Sequence, residues 1–210
     1  MEQITYHKIN KETTKKITKE LFEDKEVFQN LTIHGLVDYE EFPKKFQNNK
    51  DMIEYLIRGR NEKHKIPKHI LMDKEFLMHL LSLKMTFENV PLEYREDLTI
   101  CNAALKLQKN FQLIDESIKN NKENLLFFAK DHAVIYFQMD SKFKNDFEFI
   151  MKLLDVNMYV YLYLSDRYQS DKYIILKLLQ KYPNSLDKLH IVYHLKNLWN
   201  DVEFVLEMID

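Results

Sequence analysis

The chain is poor in the residues that strand-rich folds depend on, with 2 glycines and 4 prolines among 210 residues. Tight turns between strands draw on glycine and proline, and this supply cannot serve a sandwich or a barrel. The shortage favours helices joined by short connections, so the expected class is all-α. A single cysteine, Cys101, excludes an intramolecular disulfide and a multi-cysteine metal site, and it fits a reducing, cytoplasmic setting. Gly35 and Gly59 stand alone, and neither G-x-G-x-x-G nor G-x-x-x-x-G-K occurs, which excludes a glycine-rich phosphate loop. No apolar run approaches the roughly 18–20 residues of a membrane span. The segment Val160 to Leu164 is among the longest. The opening stretch MEQITYHKINKETTKK lacks the apolar core of a secretory signal. Charge of one sign is missing too. Lys plus Arg number 31 against 33 for Asp plus Glu, a net −2, so neither nucleic acid nor a membrane surface is expected as a partner.

What is present is apolar material: 45% of residues are hydrophobic and 13% aromatic, enough to build a core. It is arranged with a period. Asp24, Asn49, Asp73, Asp97, Asn121, Asp146 and Asp171 recur at spacings of 25, 24, 24, 24, 25 and 25 residues. Asp and Asn favour the N-cap because the side-chain oxygen accepts from a free first-turn amide. Two residues on stand Glu26, Asp51, Glu75, Thr99, Glu123, Glu148 and Tyr173, mostly acidic, as suits the positive end of a helix dipole.

Four residues after the caps come Phe28, Ile53, Leu77, Cys101, Leu125, Ile150 and Ile175. Seven after come Leu31, Leu56, Leu80, Ala104, Phe128, Leu153 and Leu178, and eight after come Thr32, Ile57, Leu81, Leu105, Ala129, Leu154 and Leu179. This spacing lines one face of a helix, and Thr32 alone is not apolar. A second apolar pair precedes each cap by three and seven residues: Leu21 and Ile17, Phe46 and Phe42, Ile70 and Ile66, Tyr94 and Val90, Ile118 and Ile114, Phe143 and Met139, Tyr168 and Leu164. It is followed at once by Thr18, Pro43, Pro67, Pro91, Asp115, Asp140 or Ser165, helix-starting residues that predict a short helix before each cap.

The predicted architecture is therefore an α-solenoid of about eight tandem repeats of 24–25 residues, each a short helix plus a longer one. Asp201 opens the eighth, with Val205, Met208 and Ile209 in core positions and an insertion around Pro183 to His194. A single domain over 1–210 is expected, with a capping helix in 1–20, regular repeats in 21–182 and an irregular capping repeat in 183–210.

The unit Pro/Asp-x-x-h-x-x-Asp-x-Glu-x-h-x-x-h-h, with h apolar, is clearest in Pro67 to Leu81, Pro91 to Leu105 and Ser141 to Leu154. It resembles a bacterial family of tandem helical repeats known as domain of unknown function 4116, over roughly Leu21 to Leu179 of this sequence. The family's longer helix is often alanine-rich, whereas bulky residues dominate here outside Ala103-Ala104. The resemblance implies a helical array of the sort found among bacterial secreted effectors. It implies no activity and no functional residue.

Candidate chemistry is sparse. His64 with His69, and His190 with His194 near Asp187, have ligand-like spacing, but no His-Glu-x-x-His motif or third ligand accompanies them, and no metal is expected. Cys101 holds a core position and reads as a small hydrophobe rather than a nucleophile. His34 and His132 fall at helix ends. The carboxylates fall at caps. Neither an enzyme nor a cofactor is expected.

Two surface features remain. Arg58 and Arg60 belong to a basic connection running to Lys65 that can meet phosphate or an acidic partner. Tyr159, Tyr161 and Tyr163, followed by Tyr168 and Tyr173, form a cluster of the side chain enriched at binding hot spots. The expected function is a protein-interaction module whose partner is another protein, with Tyr159, Tyr161, Tyr163, Tyr168, Arg58 and Arg60 as candidate contacts and an effector or toxin-immunity protein as the setting. The alternative is a nucleic-acid binder or an enzyme with a site assembled across repeats.

Overall fold

Each periodic Asp or Asn begins a helix. A computed structural model describes residues 22–59, 66–183, 189 and 191–209, and these are helical with no strand among them. The expected helix in 1–20, Arg60, His64 and the His190–Asp187 pair lie outside the described residues. The chain divides into two compact units, Met1–Leu107 and Gln108–Asp210.

In the first unit the longer helices are α1 (Lys25–Ile33), α2 (Lys50–Arg58), α4 (Lys74–Ser82) and α5 (Leu98–Ala104), with the short α3 (Lys68–Leu71) before α4. The second unit alternates short and longer helices: α6 (Glu116–Lys119), α7 (Lys122–Asp131), α8 (Ser141–Lys144), α9 (Phe147–Val156), α10 (Asp166–Gln169) and α11 (Lys172–Lys181), closed by α12 (Val192–Leu198) and α13 (Val202–Ile209). The caps act as expected. Asp24 accepts from the amides of Glu26 and Val27, Asp97 from Thr99 and Ile100, Asn121 from Glu123 and Asn124, and Asp171 from Tyr173 and Ile174. Asn49, Asp73, Asp146 and Asp201 each accept from the amide three residues on. Of the expected short-helix starts, Asp115 and Asp140 accept first-turn amides, whereas Ser165 makes no side-chain cap bond, the stretch after Pro43 is turn, and that after Pro91 is a 3-10 turn over Leu92–Tyr94. Pro67 stands one residue earlier than a first helical position, at the N-cap of α3.

A third element in each unit is not foreseen by the apolar pattern. Between a longer helix and the next short segment the chain winds into 3-10 turns, Tyr39–Glu41 and Phe87–Asn89 in the first unit, and Gln108–Leu113, Ala133–Gln138 and Met158–Tyr163 in the second. These segments pack on one another in series within the second unit. They add Phe87, Phe111, Ile135, Tyr136, Val160 and Tyr161 to the buried set.

The expected core positions are buried with few exceptions. All seven residues four after the caps are fully buried, as are those seven after. Ile57, Leu179 and Tyr94 are only half-buried. Thr32 is buried as the one polar member, and its hydroxyl donates to the Phe28 carbonyl at 2.8 Å, so no polar group is stranded. The position three after the cap is also core in Met52, Phe76, Ile100, Phe149 and Ile174. In the last helix it is this position, Phe204, that is buried, while Val205 is half-buried. The side chains of Met208 and Ile209 lie outside the described residues.

Successive repeats are tied through their caps. The lysine that follows one cap reaches the carboxylate of the next: Lys50 to Asp73 and Lys74 to Asp97, both at 2.5 Å, Lys122 to Asp146, and Lys172 to Asp201 at 3.6 Å. Lys50 and Lys122 also sit over the rings of Phe76 and Phe149. Where Phe147 replaces the lysine, it packs on Tyr168 of the next repeat at 6.4 Å between ring centroids. Helix C-termini are served by the following repeat as well. Asn157 donates to the carbonyls of Ala129 and Lys130, and Lys181 to that of Asp155.

The two glycines differ in purpose. Gly35 has φ 66° and closes α1, with Leu36 N–H donating to Leu31 O at 3.0 Å. Lys84 takes the same place after α4 at φ 72°, with Met85 N–H donating to Leu80 O at 3.1 Å. Gly59 follows α2 as expected but has an extended backbone, φ −62° and ψ 155°. Its need for glycine is proximity: a Cβ there would lie 2.8 Å from the Thr32 carbonyl at the end of α1.

Candidate binding surface

The tyrosine cluster is split by the 3-10 segment that carries it. Two adjacent residues of Met158–Tyr163 face the core, Val160 and Tyr161, while Tyr159 and Tyr163 on either side remain exposed at 42% and 37%. The Tyr161 hydroxyl donates to Gln169 O at 2.7 Å, and Gln169 Nε2 returns a bond to Tyr161 O at 3.0 Å. The same bridge recurs in other repeats, from Tyr39 to Gln47 O and from Tyr136 to Lys144 O. Burial pushes the Tyr136 and Tyr161 phenols up to about 12, which keeps both hydroxyls protonated as donors. Tyr168 is buried as well, and its hydroxyl donates to Asn145 O in the preceding repeat at 3.2 Å, while the Arg167 guanidinium stacks on the ring. Tyr161 and Tyr168 thus hold the short helices in place, and Tyr159 and Tyr163 are the members a partner can reach. Tyr173, on α11, is exposed and covered on one side by Lys172.

Sequence reasoning missed the companions of the exposed tyrosines. Leu113, Phe137 and Leu162 lie sixteen residues after the caps Asp97, Asn121 and Asp146, on three consecutive 3-10 segments, and each is exposed, Phe137 to 72%. Their signal was available: the register of the caps, extended past the end of each longer helix, picks them out. Between the first two of these segments lies an open cleft of about 340 Å³, lined by Phe111, Gln112, Glu116, Lys119, Gln138 and Met139 among others. Its floor is apolar, with Phe111 and Met139 buried. Its rim is polar and internally paired: Lys119 meets Glu116 at 2.7 Å, and Gln138 donates to Gln108 O at 3.2 Å. Such an edge offers apolar side chains flanking a polar-rimmed recess, the chemistry of peptide or protein recognition.

The remaining candidates have structural roles. Arg58 is held by Glu54 one turn back at 2.6 Å, and Glu54 also meets His79 of the next repeat at 2.9 Å. These two bonds lower the Glu54 carboxyl, His79 contributing most. Arg60 lies outside the described residues. Cys101 is buried and its Sγ lies 3.2 Å from Arg95 O; burial raises the thiol to about 12, so it is neutral and unreactive at physiological pH. His194 is shared with Ser170 at 3.2 Å. Among the described residues no three His, Cys, Asp or Glu side chains gather as a metal site, and no helix is long and apolar enough to cross a membrane.

No family model matches the chain, and no curated protein or solved structure does either.

Proposed function

We propose that the chain is a protein-binding module, an α-solenoid of about eight short repeats whose second unit receives its partner along the 3-10 edge. The observation that carries this reading is the row Leu113, Phe137 and Leu162, joined by Tyr159 and Tyr163, exposed at one register on three consecutive segments. Isolated apolar side chains on a surface are ordinary, but a row repeated by the architecture itself marks an interface. Buried Tyr136 and Tyr161 tie down the second and third segments, so their exposed side chains are presented with little entropy left to lose on binding. A partner whose apolar side chains enter between adjacent segments, with polar groups for the Lys119–Glu116 rim, fits this edge. The resemblance to bacterial helical-repeat proteins favours a secreted effector as the setting, and a toxin-immunity protein is the other setting that a protein-binding module fits.

The test is affinity capture from the native host with the full chain and with Phe137→Glu and Leu162→Glu. Both sites are exposed, so the variants keep the helical circular dichroism of the parent. The reading expects one protein enriched by the parent and lost, at least tenfold, with either variant. Capture unaffected by both variants, or recovery of nucleic acid alone, overturns it.

A further inference from the structure

The charged groups around the cleft between Gln108–Leu113 and Ala133–Gln138 divide into two kinds when set against the same positions one repeat on. The cations recur. Lys119, two residues before its cap, donates to the Gln112 carbonyl at 3.4 Å, and Lys144, at that place in the next repeat, donates to the Phe137 carbonyl at 2.9 Å. Lys142, four before its cap, lies over the Phe143 ring as Arg167 lies over Tyr168, and its ammonium is held by Asn120 at 2.8 Å. These side chains brace the short helices in both repeats. The anions do not recur. Where the cleft is lined by Glu116 and Asp140, the next repeat holds Ser141 and Ser165, and Ser165 starts its short helix without a side-chain bond. The fold thus requires no carboxylate at either place.

We infer that this cleft receives an arginine side chain of the partner. The inference rests on the proposal that the 3-10 edge binds a protein, and it names the residue that the edge selects. What the rim leaves free is acceptors. Lys119 holds one Glu116 oxygen at 2.7 Å with its own side chain only 13% exposed, whereas that of Glu116 is 77% exposed. Asp140 accepts from the Lys142 amide at 2.8 Å through Oδ1 and has no ion pair among the described residues. Gln138 donates its amide nitrogen to Gln108 O, which leaves Oε1 open. Arginine matches this set: its apolar stem lies over buried Phe111 and Met139, and its planar guanidinium brings N–H donors and no acceptor to Asp140, Glu116 and Gln138. An acidic side chain would meet two carboxylates, with the Lys119 cation already engaged. An apolar one would cover the Asp140 and Gln138 acceptors without pairing them. One repeat on, Phe137 and Tyr163 stand where the cleft has Gln112 and Gln138, so apolar contacts follow the arginine along the edge.

Heteronuclear NMR of the isotope-labelled full chain tests the inference. The probes are acetyl-arginine amide and its neutral isostere acetyl-citrulline amide, each at about 20 mM and at one ionic strength. Amide shifts are expected to centre on Phe111–Asn120 and Gln138–Asp140, roughly fivefold larger for arginine than for citrulline. In a chain carrying Glu116→Gln and Asp140→Asn together, the arginine response is expected to fall to the citrulline level. Asparagine caps as aspartate does, so this chain keeps the helical circular dichroism of the parent. Equal responses to the two probes, shifts centred elsewhere, no shifts at all, or an arginine response undiminished in the double variant overturns the inference. Partner capture that depends on Phe137, with no arginine response, sinks this inference alone. An arginine response with no captured protein sinks the protein-binding reading and leaves the guanidinium site standing.

Discussion

Asp97 joins the two devices on which the repeat depends, capping and inter-repeat pairing, and replacing it separates them. Its carboxylate accepts the amides of Thr99 at 2.9 Å and Ile100 at 3.3 Å, the Thr99 hydroxyl at 2.5 Å, and the ammonium of Lys74 from the preceding repeat at 2.5 Å. Loss of an Asp N-cap costs about 1 kcal/mol. The Lys74 pair, with side chains 47% and 27% exposed, is worth about 0.5–1 kcal/mol in water. Asp97→Ala is therefore expected to destabilise by about 1.5–2 kcal/mol, whereas Asp97→Asn, which still caps, and Lys74→Met each cost about 0.5–1 kcal/mol. Combining the last two adds little, because both remove one interaction. The hydrogen bond from Lys74 chiefly, then that from Thr99, lowers the Asp97 carboxyl from 3.8 to about 2. A carboxyl depressed on folding lends stability that is complete above its unfolded value and lost as pH falls through the folded one, here between about pH 4 and 2. Full conversion of the shift gives about 2 kcal/mol, an upper bound that solvent screening brings to about 1 kcal/mol. Urea unfolding at pH 7 and at steps down to pH 2.5 measures all of this. The parent should lose more stability over that acid range than Asp97→Asn. An Asp97→Ala chain as stable as the parent, or an Asp97→Asn chain as damaged as Asp97→Ala, would refute the division into cap and pair.

Other positions give sharper local tests. Lys84 holds a left-handed backbone that costs a side-chain-bearing residue about 1 kcal/mol, so Lys84→Gly should raise stability by up to about that amount in the same assay. Gly59→Ala should destabilise by about 1–3 kcal/mol, since its Cβ would stand 2.8 Å from a backbone carbonyl; a neutral result would mean that α1 and α2 are less closely packed. Tyr161→Phe strips a buried donor from Gln169 O and should cost about 1–2 kcal/mol, while Tyr159→Phe should stay within about 0.5 kcal/mol, a contrast that thermal unfolding resolves.

Much of this was legible in the sequence because the signals are local. A cap needs only its own oxygen and the amides two or three residues on, so the Asp/Asn period located each longer helix, and the apolar face followed from the helical period. Cys101 fell to the core by the same register. The 3-10 segments were not legible, because a six-residue stretch such as Ala133–Gln138 buries residues at a spacing that neither a helix nor a strand template matches. That omission is why the tyrosine cluster read as a block: in Met158–Tyr163 neighbours such as Tyr161 and Leu162 go to opposite environments. It also hid Leu113, Phe137 and Leu162. Gly59 looked like a helix terminator because its sequence position suited one, whereas the contact that requires glycine comes from a carbonyl 27 residues away in the chain. The Lys–Asp ties between caps were visible only as a charge after each anchor; pairing them requires the stacking of one repeat on the next.

If a protein docks on the repeated 3-10 edge of the second unit, as proposed, that edge is shielded in the complex. Amide hydrogen exchange of the full chain, alone and saturated with the captured protein, tests it most directly. Slowed exchange is expected in Gln108–Leu113, Ala133–Gln138 and Met158–Tyr163, with the first unit unchanged. Protection confined to the longer helices or to the first unit, with these three segments exchanging as before, would contradict it.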